Sequence, residues 1–233
     1  MRNIKKTILV TGGSRGIGLA ITKELLKKRN LIYLNHKTNT PELEKFFNKN
    51  QKQIIPLKAN LFLKKEIEFI LNRFLNDNIF PDVIINNAGI APSAPISYTS
   101  NKWEAQWDKT IGVNLKAPAL ICKAFIDHKI KMRINKKLRI INISSRAAFR
   151  GETEDFIPYA ASKGGLISLT KTIAKSFGKN GVLSFSIAPG FVKTEMAEDF
   201  IKKYSFDHAM EGIVLNRLTE PSDIAPIVSF IAS

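Results

Sequence analysis

Tyr159 and Lys163 stand four residues apart in Tyr159-Ala160-Ala161-Ser162-Lys163, a spacing that sets a phenol and an ammonium one turn apart on one face of a helix. A phenol titrates near ~10 and is a poor acid or base at neutrality. A neighbouring ammonium stabilises the phenolate, lowers that value and makes the phenol a usable proton donor to a carbonyl oxygen. Such pairs arise often by chance in a lysine-rich chain, so the setting matters. Ahead of the pair, Ile140-Ile141-Asn142-Ile143 ends in Ser144-Ser145, and a strand-end hydroxyl beside the phenol can hydrogen-bond a developing oxyanion. The bland alternative for both serines is ordinary turn chemistry.

A second group of residues suits a phosphate. Thr11-Gly12-Gly13-Ser14-Arg15-Gly16-Ile17-Gly18 follows the run Thr7-Ile8-Leu9-Val10 and leads into an amphipathic stretch. A strand end meeting a helix start aims backbone N–H groups and the helix dipole at one point, where a pyrophosphate can sit. The glycines permit a tight turn and close approach of the ligand. Spacing here is T-G-x-x-x-G-x-G rather than G-x-G-x-x-G, and its place between strand and helix is what strengthens it. At the end of the second apolar run stands Asn35-His36-Lys37. An acid there would bind ribose hydroxyls and repel a 2′-phosphate. With no acid, and with Lys37 and Arg15 as cations, NADPH is the expected cofactor; an ordinary exposed Lys37 is the competing reading.

The elements that must position these residues are short apolar runs alternating with longer amphipathic stretches, the pattern of βαβ units and a parallel sheet. Strands are predicted over Thr7–Val10, Leu31–Leu34, Ile54–Leu57, Val83–Ile85, Ile140–Ile143 and Val182–Ala188. Helical spacing covers Ile17–Lys28, Pro41–Lys49, Ile67–Leu75, Asn101–Met132, Tyr159–Phe177 and Ser222 onward. Pro56 places the third strand near an edge. The fourth is apolar on both faces, as buried parallel strands are. No repeat, low-complexity tract or linker interrupts the chain, so residues 1–233 read as one Rossmann-type, doubly wound α/β domain with helices on both faces.

Bulk properties exclude several classes. With 44% hydrophobic and 24% charged residues the chain is an ordinary globular domain able to bury a core. It has no run of eighteen apolar residues, hence no expected membrane span. Met1 to Lys6 leads into the first strand rather than a cleavage site. Cys122 is the only cysteine, so no internal disulfide forms and a cytoplasmic setting fits. No metal site is expected. The net charge of +16 fits either an anionic partner or a scattered, solvated basic surface. No basic-aromatic RNA motif or helix-turn-helix supports nucleic-acid binding.

Together these residues resemble a classical short-chain dehydrogenase/reductase, in order along nearly the whole chain. Thr11 to Gly18 matches the family's cofactor turn, Asn86-Asn87-Ala88-Gly89 its motif after the fourth strand, and Asn114 in Val113-Asn114-Leu115 its catalytic asparagine. Ser145, Tyr159 and Lys163 match its serine, tyrosine and lysine. Ala188-Pro189-Gly190 with Thr194 matches the segment bordering the nicotinamide. The resemblance implies that Tyr159 is the general acid in reduction and that Lys163 lowers its pKa and binds the nicotinamide ribose. It implies that Ser145 positions the substrate carbonyl, which Tyr159 also touches, and that Asn114 holds a water relaying protons. Asn60 with Leu61, and Asn87 with Ala88 and Gly89, would line the adenosine side; His36 and Lys37 would flank its ribose. Pro189, Gly190, Val192 and Thr194 would contact the nicotinamide.

Among such enzymes the likeness is greatest to bacterial 3-oxoacyl-acyl-carrier-protein reductases, through Thr-Gly-Gly-Ser-Arg-Gly-Ile-Gly, Asn-Asn-Ala-Gly-Ile, Tyr-Ala-Ala-Ser-Lys and Ala-Pro-Gly-Phe-Val. That implies NADPH-dependent reduction of an acyl-carrier-linked 3-oxoacyl thioester in fatty acid biosynthesis, in a homodimer or homotetramer. Arg133, Lys136, Lys137, Arg139 and Lys179 could form a complementary patch for an acidic acyl carrier protein; a solvated turn is the competing and favoured reading. Reduction of another ketone, sugar or steroid is an open alternative, as is a non-catalytic NADPH-binding regulator. Specificity is expected in the loops Ala91–Ser100 and Met196–Gly212. Ser145 and Tyr159 are fourteen apart, one more than is commonest in the family. The sequence stops at Ile231-Ala232-Ser233, short of the family's final strand, which would leave one sheet edge uncovered.

Overall fold

The computed structural model describes residues 5–211 and 213–233; Met1 to Ile4 and Gly212, where two of the expectations above end, lie outside the described residues. Six strands form one parallel sheet. They are β1 (Thr7–Val10), β2 (Leu31–His36), β3 (Ile54–Lys58), β4 (Val83–Asn86), β5 (Leu138–Ile143) and β6 (Val182–Ile187), in the order β3-β2-β1-β4-β5-β6. The order reverses between β1 and β4, and in such sheets the crevice beyond the strands' carboxyl ends at that point is where ligands bind. Pro56 cannot donate to a ladder, and β3 is indeed an edge strand, with Pro56 opposite Leu34.

Period-two alternation gives the sheet two apolar faces. Leu9, Ile84 and Ile140 face one core with helices α3 (Lys64–Leu75), α5 (Ala117–Lys131) and α7 (Ile157–Phe177), through Ile70, Phe74, Ile121, Phe125 and Ile173. Ile8, Val10, Ile85 and Ile141 face the other, against α1 (Gly16–Leu26) and α10 (Pro221–Ile231), through Ile21, Leu25, Ile224 and Val228. α2 (Pro41–Lys49) is started by the Thr40 side chain, which accepts from Leu43 N at 3.2 Å. Cys122 lies fully inside the first core, where burial pushes its thiol up to about 12. Among the described residues no helix is long and apolar enough to cross a membrane.

Two expectations need correction and a third is refined. The stretch Asn101–Met132 is helical as expected, but its coil is not regular. α4 (Ser100–Ile111) and α5 are joined by a π turn over Gly112–Lys116, a one-residue insertion that a 3.6-residue period conceals. β2 runs past its apolar residues to His36 because β3 pairs with it that far, His36 opposite Lys58. Residues 196–210 are not a loop but most of α8 (Glu195–Tyr204) and all of α9 (Phe206–Met210). β6 closes the other side of the sheet, and Phe185 on it is 37% exposed.

Candidate active site

The glycine turn is held from below by groups at the ends of β2 and β4. Asn35 is buried; its Oδ1 accepts from Gly12 N at 3.3 Å and its backbone oxygen from Gly13 N at 3.0 Å. Its amide donates to the Leu57 and Ala59 oxygens at 3.2 and 3.0 Å. The Thr11 hydroxyl accepts from the N–H groups of Asn87 and Ala88 at 3.0 and 3.1 Å. The Asn87 amide in turn donates to the carbonyls of Thr11 and Gly12 at 3.1 and 2.9 Å. Asn87 thus shapes the turn with its side chain. Gly12 and Gly16 have φ of +61° and +50°, conformations that a side chain disfavours. A Cβ on Gly18 would stand 2.1 Å from the Gly12 oxygen, so no other residue fits.

α1 begins above this turn with no side-chain cap on it and no acid in its first turn. The first N–H groups of a helix have no partner within it, so a bare cradle of donors faces outward, as a pyrophosphate requires. Ser14, Arg15 and Ile17 rim the cradle, and Thr194 approaches Gly16 from α8, its Cγ2 within 3.2 Å of where a Gly16 Cβ would be. Asn60 and Leu61 follow β3. The Asn60 Oδ1 accepts from Phe62 N at 3.2 Å, and Leu61 is buried in the core.

At the end of β2 the structure revises the sequence reading. Lys37 is exposed, as a phosphate contact needs. The His36 imidazole is buried instead, 5.2 Å from the Phe47 ring, with Nδ1 3.2 Å from the Thr38 oxygen, because β2 turns it beneath α2. Burial, first, lowers its pKa. Arg15 is ion-paired with Glu195 at the start of α8.

The second group assembles at the carboxyl end of β5. Ser144 Oγ donates to the Lys163 backbone oxygen at 2.9 Å, tying β5 to α7. Lys163 is 4% exposed and its Nζ donates to the Ile143 oxygen at 2.8 Å; it lies 5.7 Å from the centre of the Tyr159 ring. Gly89 leaves room for this amine, since a Cβ there would stand 3.3 Å from Nζ and 3.6 Å from Asn114 Oδ1. Asn114 is fully buried in the π turn. Its Oδ1 accepts from Ile90 N at 2.8 Å, and its Nδ2 donates to Ile90 O at 2.8 Å and Ser162 Oγ at 3.0 Å. Ser162 passes the link on by donating to the Tyr159 oxygen at 2.7 Å.

The charges run differently from the sequence expectation. Tyr159 is not lowered. Burial raises its pKa, a hydrogen bond with Ser145 opposes this, and the charge of Glu152 adds to it. Burial likewise lowers Lys163, to about 8. The physical reason is that the ammonium is directed at Ile143 and the surrounding protein disfavours the charged form of each group. At neutrality the phenol is therefore a protonated donor.

Ser145 and Tyr159 open on a cavity of about 380 Å³ walled also by Arg146, Glu152, Phe156, Phe191, Phe200 and Lys203. Pro189, Gly190, Val192 and Thr194 line its side nearest the glycine turn. Val192 is held by a parallel bridge to Thr219. The basic cluster lies elsewhere. Arg133, Lys136 and Lys137 precede β5, and Lys179 precedes β6, so they sit at the amino ends of the strands. Ser145 sits beyond the carboxyl end, six residues and about 20 Å away along β5. Lys136 moreover pairs with Asp82 at 2.9 Å, and buried Lys129 donates to the Lys136 oxygen at 2.6 Å. The cluster braces a turn, and it does not border the cavity.

A parallel sheet with this reversal, a glycine cradle and a Ser-Tyr-Lys group at one end define a nucleotide-dependent oxidoreductase class. The family model for short chain dehydrogenases matches residues 6–205, and the chain belongs to that family. It is 30% identical over 233 residues to the 3-oxoacyl-[acyl-carrier-protein] reductase FabG of Chlamydia trachomatis, covering 99% of this chain and 91% of that one. The Aquifex aeolicus protein of the same name is 31% identical over 98% of this chain and 90% of its own. Among solved structures, 4-hydroxyisoleucine dehydrogenase complexed with NADH superposes with a TM-score of 0.85 at 27% identity, covering 98% of this chain and 91% of that one.

Proposed function

We propose that the chain is one dinucleotide-binding catalytic domain that reduces a carbonyl to an alcohol with NADPH, the carbonyl being the ketone of a 3-oxoacyl thioester carried by an acyl carrier protein. The observation that carries the reading is the Tyr159 phenol and the Ser145 hydroxyl opening on one cavity beside a bare glycine cradle. Ser145 holds the carbonyl oxygen by hydrogen bond, and Tyr159 gives its proton to that oxygen. Lys163 stabilises the phenolate left behind, which regains a proton from solvent through the Asn114 side of the site. A bound reduced nicotinamide supplies the hydride to the carbonyl carbon. The balance is one hydride, one proton and one alcohol formed.

The names of the Chlamydia and Aquifex relatives support the acyl-carrier-linked substrate. Because the basic cluster does not line the cavity, the cavity mouth is the carrier-docking side that this reading favours. The long helices α4–α5 and α7 are the surfaces by which we expect a dimer or tetramer to form, in the cytoplasm. A panel test decides the reading: NADPH consumption at 340 nm (an instrument setting) with acetoacetyl thioester, quinone and steroid ketones. Turnover confined to the thioester is the expected result, and no turnover of any carbonyl would overturn the reading.

Two further results follow from the charges. Lys37 is exposed and no acid stands at the end of β2, which supports NADPH over NADH, with Arg15 exchanging Glu195 for the 2′-phosphate. Arg15→Ala with Lys37→Ala is expected to weaken NADPH roughly tenfold or more and to leave NADH within about twofold, measured by nicotinamide fluorescence. An unchanged preference would reject this assignment. Lys163, held to about 8 by burial, loses its charge as pH rises through that value. The kcat/KM for NADPH, which reports the free enzyme, is expected to fall on the alkaline side near there. Lys163→Arg should move that limb upward; a profile flat into strongly alkaline solution contradicts the role.

A further inference from the structure

Arg146 follows Ser145 directly and is placed unlike the other arginines of the rims. Arg15 and Arg217 are paired with Glu195 and Asp223. Among the described residues no ion pair or hydrogen bond engages the Arg146 guanidinium. Its backbone is fixed, because its N–H donates to the Pro189 oxygen at 2.9 Å. Its guanidinium carbon lies 5.6 Å from the centre of the Phe191 ring, a cation–π contact that consumes none of its N–H donors.

The same cavity is lined by Arg146, Phe191, Ser145 and Tyr159, with Phe156 and Phe200 as further apolar wall. Burial, first, lowers the pKa of this guanidinium, Arg150 adds to the lowering, and Glu152 opposes it. A half-buried cation in an aromatic wall with no partner is in deficit of acceptors. It is offset when a ligand brings oxygen atoms that a fork of N–H donors can hold.

We propose that Arg146 is a substrate-binding residue that grips a second oxygen function of the substrate while Ser145 and Tyr159 hold the carbonyl to be reduced. The preferred substrate class is therefore the oxo-acyl compound bearing a second carbonyl or carboxylate, and simple monoketones are poor substrates. This rests on the carbonyl-reductase reading and makes it more specific. One ligand chemistry, an oxygen acceptor beside the ketone, has two sources: the thioester carbonyl of a 3-oxoacyl chain or the carboxylate of a free oxo acid.

The test compares three probes in the full chain with NADPH: the N-acetylcysteamine thioester of acetoacetate, free acetoacetate, and 2-pentanone. Each is assayed with wild type, Arg146→Met and Arg146→Lys. The expected result is a loss of kcat/KM of roughly 10- to 100-fold in Arg146→Met for the compound with the second oxygen function. The loss for 2-pentanone is at least about tenfold smaller, and Arg146→Lys recovers part of the difference. Whichever of thioester and free acid shows the larger loss identifies the source. Equal losses for all three probes, or none, overturn the proposal while leaving reductase activity in place. A wild type that reduces 2-pentanone better than either oxo-acyl probe overturns it as well. A wild type inactive on every carbonyl defeats the underlying reading instead. NADPH affinity and Tm of each variant report its folding, and if Arg146→Met fails to fold, Arg146→Gln makes the same comparison.

Discussion

Tyr159→Phe is expected to reduce kcat by roughly a hundredfold or more while NADPH affinity stays within about twofold. The substitution removes one oxygen and leaves the ring, so the packing of α7 beside the cavity is kept. What disappears is the proton donor. Burial holds the phenol above its ordinary range, so at neutral pH the wild-type group is almost wholly in the donating form. Ser145 keeps its own hydroxyl and its contact with Ala147 N at 3.2 Å, and can still hold a carbonyl oxygen without protonating it. Steady-state rates and fluorescence titration separate the two effects. Equal loss of binding and turnover would show that Tyr159 shapes the cofactor site instead of serving the proton.

Gly18→Ala is expected to lower Tm by about 6–12 °C and to abolish NADPH binding. Taken alone, alanine favours a helix over glycine by about 1 kcal/mol. Here the new Cβ would sit 2.1 Å from the Gly12 oxygen and 2.4 Å from Asn87 Nδ2. Those two atoms are bonded to each other at 2.9 Å, so the methyl enters a hydrogen bond between the two loops that define the cradle. Neither neighbour is the free end of a flexible side chain. Overpacking against two fixed atoms costs about 4 kcal/mol, above the usual range; less the helix gain this leaves about 3 kcal/mol, which converts to the stated shift at about 2–4 °C per kcal/mol for a chain of this size. Thermal unfolding and a binding titration check it. An unchanged Tm would mean that β1 and α1 can part more easily than their packing indicates.

Much of this was legible in the residues because the physics was local. Short elements such as the strand Thr7–Val10 and the helix Pro41–Lys49 are set by neighbours a few positions away. The Tyr159–Lys163 spacing likewise needed only the helical repeat. Asn35 reads in the sequence only as the absence of an acid. Its work, joining β3 to the glycine turn, depends on the strand running on past the apolar residues that mark it. Arg15 and Glu195 are 180 positions apart, and nothing in either segment announces the pair. The charge run from Lys129 to Arg139 was plain in composition, yet only the direction of β5 shows that it faces away from the cavity. Arg146 lay inside what reads as a turn after two serines, and its significance comes from Phe191, far along the chain.

The helix that carries Asn114 is out of step with itself. Its π turn holds one residue more than the ordinary coil would, and at about 100° of rotation per residue that surplus sets the heading of all that follows. Removing Val113 would make the coil regular and at the same moment roll Ile121, Cys122 and Phe125 off the sheet and swing Asn114 from Ile90. A blemish in the winding is thus a registration mark. Side chains on the exposed face of that helix can change at little cost, whereas the count of residues through it cannot.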